Sequence, residues 1–336
     1  MGVGGLRLAD GRWQGAKGKG QRATGKGHIA NRKGHMGTSE IANPKSQIPN
    51  RQSQIGAGWR WVGLMALVAA VAWMALRGLP DGRLHVYFLD VGQGDAILVA
   101  APDGRQILVD GGPSPTALLS ELGNLMPFWD RSLDLVVLTH PDGDHITGLI
   151  PLLDRYRVAQ VLDTPLSNAA PESASWLAGL AQNGVPRTYA QRGMRLAVGD
   201  LTLTVLHPGP TPLTGAASDD NNNCIVLRVD YGATCLLLTG DAEQAAEADM
   251  IAAGLPLRCD VLKVGHHGSN GATSAPFVAA VAPRVAVIQV GADNYFGHPH
   301  PDVLARLAGV EVLRTDLNGR IEVVSDGRRV WVDVTR

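Results

Sequence analysis

The sequence predicts an α/β domain in which mixed β-sheets are covered by helices. Three observations predict it. Short apolar runs rich in Val, Ile and Leu recur from residue 84 onward, bounded by Gly, Pro, Asn and Asp. Strands come first and strand–helix units follow, in one continuous stretch. No repeat of fixed period breaks that order.

Strands are expected at 84–91, 96–100, 106–109, 133–138, 158–162, 201–206, 225–229, 234–238, 261–264, 285–290, 321–324 and 330–334. Helices are expected at 115–125, 147–156, 173–183, 242–253, 274–281 and 301–308. A chain of 336 residues has room for one large domain or two small ones.

The first 58 residues differ in kind. They are rich in Gly, Lys, Arg, Ser, Gln and Asn without apolar periodicity, and are expected to be a disordered basic tail. Residues 59–79 follow as an expected single transmembrane helix or signal anchor. The run 61–76 carries no charge, Trp59, Trp61 and Trp73 suit interfacial positions, and Arg60 and Arg77 can snorkel. A secretory signal peptide and a buried soluble helix are the alternatives. The basic tail precedes this segment, so the positive-inside rule predicts a single-pass membrane protein with an extracytoplasmic body.

The net charge of −1 hides an asymmetry. Residues 1–60 hold eleven Lys/Arg against two Asp/Glu, and residues 61–336 hold nineteen against twenty-nine. Three cysteines form no CxxC pair and no even set, which argues against a disulfide framework and a Cys-ligated zinc. All three are expected to be small buried hydrophobes.

Chemistry concentrates in loops after strands. Thr139-His140-Pro141-Asp142-Gly143-Asp144-His145 places four potential metal ligands directly after Leu135-Val136-Val137-Leu138. Two imidazoles and two carboxylates are the donor mixture of hydrolytic Zn, Mn or Fe sites, although alone the segment also reads as a polar turn. Asp110-Gly111-Gly112, Gly240-Asp241, His266-His267-Gly268-Ser269 and Gly297-His298-Pro299-His300 occupy comparable positions. Six of ten histidines lie in these loops, which can face one crevice at the strand ends.

Together these segments resemble the metallo-β-lactamase superfamily, and within it the extracytoplasmic hydrolase domain of ComEC-like competence proteins. Leu89-Asp90-Val91-Gly92-Gln93-Gly94-Asp95, Asn221-Asn222-Asn223 and Leu262-Lys263-Val264-Gly265-His266-His267 belong to the same likeness, which covers roughly 84–334. The resemblance implies an αββα four-layer sandwich of two mixed sheets flanked by helices, spanning 82–336. It implies two divalent metal ions, Zn or Mn with Mg as a further option. His140 and Asp142 would hold one ion, near Asn222 and Asn223. Asp144, His145 and His266 would hold the other, with Asp241 between the two. His267 is the alternate ligand, and Asp110 orients a ligand histidine from behind. Asp144 and His298 are the candidate catalytic residues, with His300 a weaker one. Two departures stand out. Asp142 takes the place of the superfamily's second motif histidine, and no histidine precedes the strand expected at 225–229.

The function implied is a metal-dependent phosphodiesterase or nuclease acting on DNA during uptake. Its expected partners are single-stranded DNA, a separate membrane channel protein and the membrane through one helix. Against it, the body is acidic and no aromatic interleaving marks a stacking groove. The alternatives are a hydrolase of another ester, thioester or small phosphodiester, and a non-catalytic binding module.

Overall fold

A computed structural model describes residues 52–77, 79–166 and 170–336. Two sheets carry the architecture. The first has eight strands in the order Val330–Val334, Ile321–Ser325, Leu84–Phe88, Ile97–Ala100, Gln106–Val109, Leu135–Val137, Val161–Asp163 and Arg187–Tyr189. The second has seven, in the order Glu311–Arg314, Val285–Ile288, Val261–Lys263, Thr234–Leu238, Val226–Tyr231, Leu201–His207 and Arg195–Val198. Both are mixed. The first turns from antiparallel to parallel at Gln106–Val109, and the second at Thr234–Leu238.

Side-chain alternation assigns the layers. Leu236 and Leu238 join Val86, Val99, Val109 and Val137 in a core between the two sheets. Cys235 and Leu237, on the opposite face of the same strand, pack with Met250 of the helix Gln244–Ala252 and Phe277 of Ala275–Val281. On the far side, Leu98, Leu108 and Val136 meet Leu118 of Pro115–Leu125 and Trp176 of Pro171–Asn183. Strands buried on both faces read as continuous apolar runs, which is why they were legible. The result is the αββα four-layer sandwich. Each fully buried Leu or Val in it contributes ~1.5–3 kcal/mol.

Three differences from expectation have physical causes. The helix expected at 147–156 is only a helical turn, Gly143–Ile146, followed by a 3₁₀ turn, Thr147–Leu149. Pro151 lacks the N–H that a longer helix needs. Gly148 is also pressed onto Gly111, where a Cβ would sit 1.9 Å from the carbonyl oxygen. The strands Arg187–Tyr189 and Arg195–Val198 were missed because they lie at sheet edges and carry polar, exposed residues. Finally, Cys235 and Cys259 form a disulfide, which corrects the reading of all three cysteines as free. Cys259 arrives just before Val261–Lys263, the parallel neighbour of the Cys235 strand, with Cα atoms 5.1 Å apart. Cys224 remains a buried free thiol.

The tail expected at 1–58 lies outside the described residues as far as residue 51. A helix does form at Gln52–Arg77, but among the described residues no helix is long and apolar enough to cross a membrane. The single span expected at 59–79 is only partly covered by the described residues, since Gly78 and the side chains of residues 73–78 lie outside them.

The disulfide closes a loop of 24 residues. Replacing both cysteines by serine is expected to lower the unfolding free energy by about 3 kcal/mol. Urea denaturation with and without reductant checks this, and an unchanged midpoint in reductant would mean that the bond does not form in solution.

Candidate metal centre

Five loops that follow strands bring their polar side chains together. Asp110 is the first fixed point. It is buried, follows Gln106–Val109 and adopts a positive φ of 58°. Its carboxylate accepts from the Thr139 backbone N–H (2.7 Å), the Thr139 hydroxyl (2.7 Å) and His145 Nδ1 (2.8 Å). Asp110 therefore pins both ends of the loop 139–145. The Thr139 hydroxyl gives its hydrogen to Asp110, so its oxygen accepts from His140 Nδ1 at 3.0 Å. His267 is fixed in the same manner, donating from Nδ1 to the Gln289 carbonyl at 3.0 Å.

All three histidines thus spend Nδ1–H on the protein and turn Nε2 inward. A histidine oriented this way by an outer acceptor is the usual arrangement of a metal ligand. His140 Nε2, His145 Nε2 and Asp241 Oδ1 are buried with no hydrogen-bond partner. Each such atom costs about 1–3 kcal/mol if nothing satisfies it.

The atoms converge on Asp241. Its carboxylate lies 3.3 Å from His145 Nε2, 3.4 Å from His267 Nε2, 3.8 Å from His266 Nε2 and 4.0 Å from His140 Nε2. Asp144 Oδ2 is 3.2 Å from His267 Nε2. Asp144, His145, Asp241 and His267 form a set whose ligand atoms all lie within 4.8 Å of one another. The second such set among the described residues, Asp95, Asp110 and His145, is held by internal bonds to Lys263 and Thr139.

Electrostatics follow the geometry. Burial opposes a charge on His145 and His267, yet Asp241 and the neighbouring carboxylates outweigh it and drive both well above the ordinary imidazole range. Burial likewise opposes ionisation of Asp241, and His267 and His145 outweigh that, holding it well below the carboxylate range. The pocket therefore demands positive charge at the Nε2 positions, as protons or as metal.

The structure redistributes some of the expected roles. His267, not His266, joins Asp144, His145 and Asp241 in the compact set. His266 lies nearer the rim, a quarter exposed, with Nδ1 3.0 Å from Glu243 Oε1. His140 and Asp142 come together at 3.5 Å beside Asp241. Asn222 and Asn223 do not face the centre. Asn222 bonds Ser218, Glu243 and Ala246, and Asn223 bonds Leu213 and Asp219. Asn221 faces inward instead, 3.3 Å from His266 Nδ1, with its Oδ1 buried and unpartnered. His298 is half-buried, and its ring lies 5.7 Å from that of His266. Burial, then the nearby His266 and His267, depress its pKa to about 4, so it is a neutral imidazole at neutral pH. His300 accepts from the Asp302 N–H and caps the helix Pro301–Arg306. His207 bonds the Asn222 carbonyl and braces the asparagine turn from below.

Glu243 and Lys263 escaped the sequence reading. Lys263 is fully buried and bonds Asp95 and the Gly240 carbonyl, 3.7 Å from Asp241. A signal was there: Lys263 is the only lysine after residue 45, and it interrupts an apolar strand. Glu243 carried no such mark, being one acid among many near a helix start.

The chain is 34% identical over 259 residues to the ComE operon protein 3 of Bacillus subtilis (strain 168), covering 71% of this chain and 32% of that protein. It is 30% identical over 252 residues to the competence protein ComA of Neisseria gonorrhoeae, covering 73% and 33%. It thus spans about a third of the length of these curated relatives. The metallo-beta-lactamase fold protein YhfI from Bacillus subtilis is 15% identical, with a TM-score of 0.49 over 74% of this chain and all of that one. The profile of the metallo-beta-lactamase superfamily matches residues 89–292, the span that holds Asp110, His140, Asp144, His145, Asp241 and His267, and the chain belongs to that superfamily.

Proposed function

We propose that this protein is a metal-dependent phosphodiesterase that cuts single-stranded DNA during DNA uptake. One observation carries the reading. Three inward-facing Nε2 atoms and the carboxylates of Asp144 and Asp241 meet in one pocket, each histidine held from behind.

The donor set fits divalent cations. Asp95, Asp110, Asp142, Asp144 and Asp241 gather at the centre with Lys263 as the sole buried ammonium among the described residues. The excess of four negative charges equals what two divalent cations carry. Asp144, His145, Asp241 and His267 would hold one. His140 and Asp142 would hold the other, with Asp241 between them and the Asn221 oxygen and His266 at the rim. Mixed nitrogen and oxygen donors suit Zn or Mn, with Mg a further option. When bound, such a pair supplies a water of lowered pKa and neutralises charge at a phosphoryl centre.

The chain's own groups supply the rest. Asp144 is a third exposed and lies at the opening, placed to take a proton from the attacking water. His298, uncharged at neutral pH, offers a ring N–H to a phosphate oxygen or to the departing oxygen. Lys263 stands 3.7 Å from Asp241 and adds positive charge beside its carboxylate.

Names of the relatives support a role in DNA uptake, since one is a competence protein, ComA, and another a protein of the ComE operon. Passage of the strand is assigned to a separate membrane channel protein. The Cys235–Cys259 disulfide supports a body that folds outside the cytoplasm, where such bonds persist. The acidic body favours a second reading, hydrolysis of a small ester, thioester or phosphodiester.

Elemental analysis of the purified chain is expected to find about two metal equivalents, matching the charge argument, with strand scission of single-stranded DNA in added Mn. Metal bound without cutting of any phosphodiester would move the assignment to the second reading. Asp241→Ala is expected to empty the centre and lower cutting by ~10³-fold or more. His267→Ala should cost more bound metal than His266→Ala. The reverse order, measured by the same elemental analysis, would return His266 to the compact set. Asp110→Asn is expected to weaken metal affinity by about 10–100-fold, read by competition with a chelator.

A further inference from the structure

We infer that Tyr295 and Phe296 form a nucleobase-stacking subsite beside the metal centre, an inference that rests on the phosphodiesterase reading and names how its substrate is gripped. Both rings are exposed to solvent, Tyr295 by 89% and Phe296 by 55%. They stack on each other at 4.3 Å between centroids. Phe296 in turn lies nearly parallel to His298, at 5.7 Å and 22°. His298 meets the edge of His266 at 5.7 Å, and His266 Nε2 is 3.8 Å from Asp241. A continuous row of rings therefore runs from open solvent to the central carboxylate.

The row is held rigidly. Asn294 bonds the carbonyls of Gly291 and His298 through its amide nitrogen, and its oxygen accepts the His298 N–H. Gly297, at a φ of 74°, lets the chain double back so that His298 lies against Phe296. The His300 N–H bonds the Gly268 carbonyl at 2.9 Å, fastening the loop to the turn that carries His266 and His267. Such a loop presents its rings without needing to order them when a ligand arrives, which reduces the entropy lost on binding.

The occupant is a flat, uncharged ring joined to a phosphodiester. Every base offers a π-face, so an aromatic platform grips single strands without regard to sequence. In the groove next to Tyr295 and Phe296, Asp90 pairs with Arg336 and Asp316 with Arg314, which leaves Asp293 as the uncompensated charge. That lining offers phosphate no unpaired cation, whereas a base needs none. Phe128 and Trp129 are also exposed, but they meet edge to face, and among the described residues no ring contact ties them to a ligand histidine.

The test is fluorescence anisotropy with the full chain, calcium replacing manganese to hold back hydrolysis. The probes are a labelled oligothymidylate and an abasic oligomer of equal length and charge, so that contacts to phosphate alone cancel. The unaltered protein is expected to bind the thymidylate about tenfold or more tightly than the abasic strand. Tyr295→Ala with Phe296→Ala should erase that preference and leave abasic binding unchanged, while Tyr295→Trp should retain it. Equal binding of the two probes by the unaltered protein, or a preference that survives the double variant, would overturn the subsite. A retained preference without any strand scission in manganese would uphold the subsite and remove the phosphodiesterase reading.

Discussion

A buried ammonium group is the constraint around which the rest of this structure is arranged. Lys263 has no exposed surface, and its Nζ lies among Asp95, the Gly240 carbonyl and Asp241. Burial alone would lower its pKa, but Asp95 and then Asp241 more than offset that and keep it raised. Remove the ammonium and at least two buried carboxylates lose their partner, a change worth ~3–5 kcal/mol in comparable sites. Arginine serves at every other cationic position of the body, yet it would not serve here. A compact ammonium can donate in three directions to converging oxygens, whereas a planar guanidinium cannot fit the same space.

From that point the centre is built outward by acceptors that fix donors. Asp110 holds Thr139 and His145, Thr139 holds His140, and the Gln289 carbonyl holds His267. None of these outer groups need touch a substrate. Their effect is to set the tautomer of each imidazole and so to decide which nitrogen faces the pocket. Close backbone approach is part of the same construction. Gly94 lies so near the Asp144 carbonyl that a Cβ would stand 2.2 Å from its oxygen, and the Asp95 N–H bonds that oxygen. The loop carrying Asp144 is thereby tied to the loop carrying Asp95, which holds Lys263.

Much of the fold was legible because the sheets are buried on both faces. Runs such as Leu135-Val136-Val137 and Cys235-Leu236-Leu237-Leu238 announce strands without any help from alternation. Edge strands such as Arg187–Tyr189 carry too little apolar character to be seen. The helix expected at 147–156 failed partly on Pro151, which the local pattern does contain, and partly on the pressing of Gly148 against Gly111 from a distant loop, which it does not. The disulfide failed similarly. Cys235 and Cys259 lie 24 residues apart without a shared local motif, and the parallel pairing of Thr234–Leu238 with Val261–Lys263 is what brings them together.

By itself the sequence determined the fold class, the loops that bear ligands and the kind of donors they offer, because strand periodicity and residue type are local properties. Tertiary structure alone decided which of two adjacent histidines enters the compact set. His266 and His267 both take positive φ, and only the crossing of their turn over Gln289 directs His267 inward and His266 to the rim. It likewise decided that Asn221 rather than Asn222 or Asn223 faces the centre, and that Tyr295 and Phe296 line up with His298. Side-chain direction at a turn depends on what the turn packs against, and those contacts come from residues far away in the chain.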